Sequence, residues 1–87
     1  MLYEIRYSHR VKKELKNTPA SQRKRIVSKI QGLAKSPRPI GCEKIRGSKS
    51  SYRIRVGTYR IIYSIYDQKL IVFVIKVGHR RDVYKKL

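Results

Sequence analysis

The stretch SYRIRVGTYRIIYSI, residues 51–65, constrains the fold more than any other part of the chain. Two runs of alternating apolar and polar residues flank a Gly-Thr pair, which is the pattern of a tight β-hairpin. A two-residue loop with glycine first favours a type II′ turn at Gly57 and Thr58. This turn predicts three cross-strand pairs: Val56 with Tyr59, Arg55 with Arg60, and Ile54 with Ile61.

The alternation assigns different side chains to the two faces of the hairpin. The face predicted to join the core carries Tyr52, Ile54, Val56, Tyr59, Ile61 and Tyr63. The other face carries Arg53, Arg55 and Arg60. Like charges directly opposite each other destabilise a sheet by roughly 0.2–1 kcal/mol, so we expect these arginines to serve an anionic ligand. Guanidinium groups bind phosphate oxygens bidentately, and a phosphate between Arg55 and Arg60 would reverse their repulsion.

The first third of the chain predicts one strand followed by two helices. Residues 2–7 alternate as a strand, and Ser8 is placed to cap a short helix that ends near Asn17. Thr18 and Pro19 predict the N-cap and first residue of a second helix. Its predicted inward residues recur at helical spacing: Ile26, Val27, Ile30, Leu33 and Ala34.

The remainder predicts loops and three strands. Residues 36–41 read as a loop, and the basic loop 43–51 opens with a short extended piece before the hairpin. The run KLIVFVIKV, 69–77, is apolar on both faces, as in a central strand, and Gly78 is predicted to end it. We therefore predict one domain, residues 1–87, of the α+β class. Its order is β-α-α-β-β-β, with an antiparallel sheet packed against a helical pair and the first strand beside the last.

The charge of the chain indicates an anionic partner. Its 87 residues include 23 Lys and Arg against five Asp and Glu, a net charge of +18. Nucleic acid is the first candidate and an acidic protein the second; we expect no membrane association, since no segment is long enough to span a bilayer. A single cysteine, Cys42, and a first segment without the apolar run of a signal peptide predict the cytoplasm.

Motifs for metal or cofactor chemistry are not found in the sequence. The five acids are scattered, His9 and His79 share no ligand spacing with another residue, and "RGSK" at 46–49 lacks the phosphate-loop pattern. We therefore expect no metal and no cofactor. Lys12, Lys13, Lys16 and Arg23, Lys24, Arg25 on the helices are interpreted as solvated cations that contribute only general attraction.

Four segments together resemble a known family: SPRP at 36–39, EKIRG at 43–47, YRIRVGTYRIIYSI at 52–65 and VFVIKVGHRRDVY at 72–84. They resemble the RelE/ParE superfamily of prokaryotic toxins, and within it the RelE branch of mRNA-cleaving toxins. The resemblance implies the RelE-like toxin fold and a metal-independent endoribonuclease that cuts mRNA in the ribosomal A site. It also implies neutralisation by a co-expressed antitoxin. In such enzymes the RNA 2′-hydroxyl attacks the adjacent phosphate, leaving a 2′,3′-cyclic phosphate and a free 5′-hydroxyl.

The resemblance also implies roles for individual residues. Arg53 and Arg55 stand where the family often has two lysines, whereas Arg60 and Arg80 match family arginines and Tyr84 matches the tyrosine of the terminal "VY". The arginines would bind the scissile phosphate, and Tyr84 would stack on a codon base. Further RNA contacts are expected from Lys44, Arg46, Lys49 and Arg81.

The general base is left open by these residues, since arginine does not give up its proton. His79 is one candidate, because its unperturbed pKa lies near neutrality; a strand-end histidine that is only hydrogen-bonded is the alternative. Two other functions stay open. One is a ParE-like toxin that inhibits DNA gyrase without nuclease activity, and the other is a non-enzymatic basic protein that binds RNA or the ribosome. For the toxin reading we expect an acidic antitoxin segment as partner.

Overall fold

The computed structural model describes residues 2–79, which form a five-stranded sheet with two helices. The elements are β1 (Glu4–Tyr7), α1 (His9–Lys16), α2 (Ala20–Gly32), β2 (Glu43–Lys44), β3 (Ser51–Val56), β4 (Tyr59–Tyr66) and β5 (Ile71–His79), with a 3₁₀ turn at Asp67–Lys69. The strand order across the sheet is β1-β5-β4-β3-β2. The predicted α+β class and element order are confirmed, and β2 is the short extended piece predicted before the hairpin.

The hairpin has the predicted register. Val56 pairs with Tyr59, and Arg55 pairs with Arg60. Gly57 has φ +60°, and Leu70 is the one non-glycine residue of 2–79 with positive φ. Only the first central residue of the turn therefore has positive φ, which distinguishes type II′ from type I′.

The core lies between the helices and one face of the sheet. Its fully buried side chains come from both layers: Val11, Ile26, Ile30 and Leu33 from the helical region, and Ile61, Tyr63, Val72, Val74 and Val77 from the sheet. The predicted apolar face of the hairpin joins this cluster completely, with Tyr52 and Tyr59 packed at its margin. The opposite face of the hairpin is therefore the one that carries the arginines.

One strand pairing differs from the predicted antiparallel sheet. β1 runs parallel to β5, with Glu4 opposite Ile71 and Tyr7 opposite Val74. No short turn joins these strands, so hairpin geometry does not fix their relative direction. The turn from β1 into α1 fixes it instead, because Ser8 donates its N–H to Val74 O (3.0 Å) and its hydroxyl to Ile75 O (3.1 Å). The sheet is therefore mixed, with β5 between β1 and β4 as predicted.

The two helices begin differently from one another. Ser8 caps α1 as predicted, since its Oγ accepts the N–H of Val11 at 3.1 Å. Thr18, however, is not the cap of α2, because its hydroxyl donates to Glu14 O (2.7 Å) and closes α1 instead. Pro19 is the N-cap, without a side-chain hydrogen bond. Neither helix of residues 2–79 has the length and apolarity to cross a membrane.

β5 continues further than predicted. Gly78 does not end the strand, which extends to His79 and places Gly78 opposite Arg60. A residue without a side chain at this position leaves space on the sheet for the arginine. β5 also contains a register shift: Tyr63 pairs with Val74, but Ile62 pairs with Lys76. Ile75 is thus the extra residue of a β-bulge.

Candidate nucleic-acid interface

Arg53, Arg55 and Arg60 share the sheet face that lies away from the core, and we call this side of β3, β4 and β5 the arginine face. Arg55 lies directly opposite Arg60, whereas Arg53 lies opposite Ile62. Side chains of directly opposed residues project from the same side of a sheet. The structure therefore brings these three predicted site residues together, as the hairpin pattern predicted.

The three arginines differ in exposure. Arg55 is exposed, Arg53 is half-buried, and Arg60 retains only 4% of its accessible surface. Arg53 Nε lies 3.5 Å from Glu43 Oε1, because β2 places Glu43 opposite Arg53. The face therefore combines a solvent-accessible cation at the end of the hairpin with a buried one beneath it. This is a suitable arrangement for an anion that enters from solvent.

Lys76 is a further charged residue of this face, and the sequence reasoning missed it. It pairs with Ile62, so it projects from the same side as Arg53, and only 6% of its surface is accessible. The available signal was a lysine inside the otherwise apolar run IVFVIKV. Its face was not readable from strict alternation, because the bulge at Ile75 changes the count.

His79 lies on the other face of the sheet. It pairs with Tyr59, and the two rings meet edge to face with centroids 5.7 Å apart. Tyr59 packs against the core cluster, whereas its neighbour Arg60 projects to the arginine face. The structure therefore does not bring His79 together with Arg55 and Arg60.

The other predicted RNA contacts are scattered or lie outside the described residues. Lys44 is exposed opposite Tyr52, on the face that Tyr52 shares with the core. Arg46 and Lys49 are exposed in the loop before β3, about 13 Å of strand away from Arg55. None of these three lysines and arginines joins the arginine face. Arg80, Arg81 and Tyr84 lie outside residues 2–79.

A basic groove runs between α2 and β3, next to the arginine face. It encloses about 700 Å³, and its charged lining residues are Lys24, Arg25, Lys29 and Arg55. Arg25 and Gly57 meet where the groove reaches the turn, since a Cβ on Gly57 would lie 3.5 Å from Arg25 Nη1. Two of the helix cations that the sequence indicated as general surface charge thus lie along one groove with Arg55.

The sheet has two electrostatically different ends. We call the end at Gly57 and Thr58 the hairpin end, and the opposite end, at Asp67, the loop end. At the loop end Arg38 donates to both carboxylate oxygens of Asp67, with Nη2 2.7 Å from Oδ2 and Nη1 3.2 Å from Oδ1. The Tyr3 hydroxyl donates to Asp67 Oδ1 at 2.6 Å. Chiefly through the Arg38 hydrogen bonds, the pKa of Asp67 falls to about 2.

The same arginine also attaches the loop between α2 and β2 to the sheet. Arg38 Nε donates to the Tyr52 hydroxyl at 3.1 Å, and the guanidinium carbon lies 5.3 Å from the centre of the Tyr52 ring. Tyr63 donates to Pro37 O at 2.8 Å, and burial raises the pKa of its hydroxyl. The SPRP segment is therefore a structural clamp at the loop end.

Within residues 2–79 no three His, Cys, Asp or Glu side chains are grouped so that they could hold a metal ion. The four acids of this range are engaged elsewhere. Glu4 pairs with Arg6, Glu43 with Arg53 and Asp67 with Arg38. Glu14 Oε2 accepts from Arg10 Nε at 3.2 Å, while its Oε1 accepts the backbone N–H of Val77 at 2.8 Å.

Comparisons with known proteins agree with the resemblance seen in the motifs. The family model "ParE toxin of type II toxin-antitoxin system, parDE" matches residues 5–84. The mRNA interferase toxin RelE of Escherichia coli K12 is 33% identical over 90 residues, which cover 99% of this chain and 94% of that protein. Toxin RelG of Mycobacterium tuberculosis is 29% identical over 87 residues, covering 99% of this chain and 100% of that protein.

Solved structures show the same fold. A variant of the Escherichia coli toxin RelE in its free state superposes with a TM-score of 0.82 at 31% identity, covering 98% of this chain and 93% of that one. A chain of the archaeal RelE–RelB complex from Pyrococcus horikoshii OT3 superposes with a TM-score of 0.82 at 27% identity, covering 92% and 97%. With the family model, the curated relatives and the fold in agreement, the chain belongs to the RelE/ParE toxin family of type II toxin–antitoxin systems.

Proposed function

We propose that this protein is an endoribonuclease toxin that cleaves mRNA in the ribosomal A site, in the cytoplasm and without a metal ion. The observation that carries the proposal is the direct opposition of Arg55 and Arg60 on the face away from the core. That placement costs the free fold stability and suits a bound phosphate. The name of the Escherichia coli relative, mRNA interferase, supports RNA cleavage as the reaction.

In the proposed reaction the arginine face holds the scissile phosphate. The 2′-oxygen attacks phosphorus, the bond from phosphorus to the 5′-oxygen breaks, and a 2′,3′-cyclic phosphate and a free 5′-hydroxyl result. Arg55 would meet the phosphate from the solvent side, and the buried Arg60 would offer a fixed donor beneath it. Both would stabilise the additional negative charge of the transition state, which is the largest contribution expected of a site of this kind.

Arg53 would release Glu43 to reach the RNA. The 3.5 Å separation of Arg53 Nε and Glu43 Oε1 is longer than a good hydrogen bond, so a phosphate oxygen competes well for the guanidinium. Arg80 is proposed to add to charge stabilisation, and Tyr84 to stack on a codon base. Lys44, Arg46, Lys49 and Arg81 are proposed to contact RNA or the ribosome away from the scissile phosphate.

The proposed regulator is an acidic antitoxin. Solved relatives include RelE bound to RelB in Pyrococcus horikoshii and Methanococcus jannaschii complexes. A net charge of +18 on 87 residues favours a flexible acidic segment that folds as it binds. A small acidic reading frame beside the gene of this protein is the expected genetic arrangement.

The experiment that tests the function is regulated expression in a bacterium, followed by primer extension on a translated mRNA. We expect breaks at codon positions in translated regions, with cyclic-phosphate ends, and none in the same transcript with its start codon removed. Arg55→Gln should greatly reduce the breaks, whereas Lys12→Gln, an exposed cation on α1, should not. Intact mRNA during growth arrest by the wild-type protein would refute the proposal.

A second function, gyrase inhibition, is favoured by one observation, namely that the matching family model bears the name of ParE. Gyrase supercoiling assays and in-vitro translation with the same purified protein separate the two. Translation arrest at unchanged supercoiling supports the nuclease, and the reverse supports the ParE-like activity. Translation arrest without cyclic-phosphate ends would instead indicate a non-enzymatic RNA-binding protein.

A further inference from the structure

Lys76 is buried in a strand that otherwise carries apolar residues. Its accessible surface is 6%, and Arg60, at 4%, is the other charged residue of 2–79 that is buried to this degree. Removing an ammonium group from water is unfavourable unless other groups compensate for it. An apolar residue would satisfy the strand equally well at this position, so the lysine calls for a reason other than packing.

A β-bulge directs Lys76 to the arginine face. Val72 and Val74 are fully buried in the core, so regular alternation would direct the side chain of residue 76 to the core as well. The extra residue, Ile75, shifts the register, so that Val77 returns to the core and Lys76 pairs with Ile62. Bulges are enriched beside active sites because they redirect a side chain in this manner.

The neighbours of Lys76 across the sheet are the proposed phosphate ligands. Arg60 pairs with Gly78, two residues along β5, so Lys76 and Arg60 are diagonal neighbours with α-carbons roughly 7–8 Å apart. Arg53 lies on the far side of Ile62 in the same cross-strand row. From the α1 side, the Glu14 carboxylate binds the N–H of Val77, the next residue. Arg60, Arg53 and Glu14 are thus the charged groups of 2–79 that surround Lys76.

The proposed cleavage needs a proton acceptor that the arginines cannot supply. A guanidinium group stays protonated at any physiological pH, whereas an amine can release its proton. Burial and neighbouring positive charges both favour the neutral form of an amine. The arginine face also includes Glu43, but its carboxylate lies at the outer edge of the sheet beside Arg53, on the side of β3 away from β4.

We propose that Lys76 is the general base of the cleavage, which makes this inference dependent on the proposed function. Its neutral Nζ accepts the proton of the 2′-hydroxyl as the 2′-oxygen forms its bond to phosphorus. The bond to the 5′-oxygen then breaks, and that oxygen takes a proton from water. The products are the 2′,3′-cyclic phosphate, the 5′-hydroxyl and the ammonium form of Lys76, which returns its proton to solvent.

The test is single-turnover cleavage of mRNA on programmed ribosomes, measured from about pH 6 to pH 9. The rate of the wild type should rise with pH as the amine loses its proton. Lys76→Arg retains the positive charge but not the basic function, so its rate should fall roughly 10²–10⁴-fold and lose this dependence on pH. Its affinity for the ribosome should stay the same. Lys12→Arg, at an exposed position of α1, is the matched control and should behave as the wild type.

Each alternative result overturns the inference. Lys76→Arg might cleave at the wild-type rate, or it might be slow with an unchanged pH profile; either outcome removes Lys76 as the base. Loss of the pH dependence in His79→Gln instead would assign the base to His79. Thermal melts establish that Lys76→Arg is folded, and Lys76→Met, similar in length and uncharged, replaces it otherwise. A wild type that cleaves no mRNA at all refutes the proposed function, and the role of Lys76 with it.

Discussion

The two ends of the sheet use charge in opposite ways. At the loop end, Asp67 accepts hydrogen bonds from Arg38 and Tyr3, so positive and negative charges are matched within the fold. At the hairpin end, Arg55 lies opposite Arg60, and the acids of residues 2–79 are engaged elsewhere. A chain with 23 basic and five acidic residues has few carboxylates to distribute. Their use at the loop end marks it as scaffold, and the opposed cations mark the hairpin end as the surface for a ligand.

The largest expected effect concerns Arg55, at the hairpin end. Arg55→Gln removes one donor to the phosphate, so cleavage of mRNA should fall roughly 10²–10³-fold. Thermal stability of the free protein should stay equal or rise slightly, because one cross-strand repulsion is removed. Lys12→Gln is the control. Arg60 is a poorer test because its buried side chain also fills space. Lower stability of Arg55→Gln with normal cleavage would mean that the arginines are structural.

Binding of an acidic antitoxin peptide should depend strongly on salt. The positive charge of the hairpin end and of the α2–β3 groove is largely exposed, so added salt screens its attraction for the peptide. Calorimetry at increasing sodium chloride should show progressively weaker binding. An affinity that does not change with salt would indicate that apolar contacts alone hold the partner.

Arg55→Glu should convert the hairpin end into a second matched end. Attraction to Arg60 would replace repulsion, and for a chain of this size we expect the Tm to rise by roughly 2–8 °C. Cleavage should be lost, since a carboxylate repels the phosphate. Calorimetric melts of Arg55→Glu and Arg55→Gln should therefore rank above the wild type in that order. An unchanged Tm in both variants would show that the opposed arginines do not destabilise the fold.

The smallest effect is expected from Asp67→Asn, at the loop end. The pKa of Asp67 is about 2 in the folded protein, below the value near 3.9 of an unfolded chain. Its contribution to stability is therefore complete above about pH 4 and disappears as the pH falls toward 2. Asp67→Asn should lower the Tm by a few degrees at pH 7 and flatten the acid side of the stability profile. Cleavage should not change, and a loss of cleavage would argue that the two ends are coupled.

The sequence predicted those features that follow from local pattern. The Gly57-Thr58 turn fixed the hairpin register and hence the opposition of Arg55 and Arg60. The apolar alternation likewise identified the core face of both hairpin strands. Such features depend on residues close in the chain, so periodicity alone determines them.

The features that the sequence did not predict depend on contacts between distant segments. The direction of β1 is set by Ser8 on β5, and Thr18 bonds back to α1 rather than capping α2. Lys76 escaped notice because one bulged residue reverses the faces of all that follow it. For the same reason the face of His79 could not be counted from the start of the strand. The predicted roles of Arg80, Arg81 and Tyr84 concern residues outside 2–79 and stay predictions.

The position of β5 has a consequence for how this toxin is made. β5 is the last strand of the chain but the central one of its sheet, flanked by β1 and β4. The N-terminal strand therefore has no hydrogen-bonding partner until residues 71–74 have left the ribosome, and chains grow at only about 5–20 residues per second. Pairing between such distant segments is also intrinsically slow. A nascent copy thus stays without its completed sheet until its own synthesis is nearly over, which separates the birth of the toxin in time from the start of its activity.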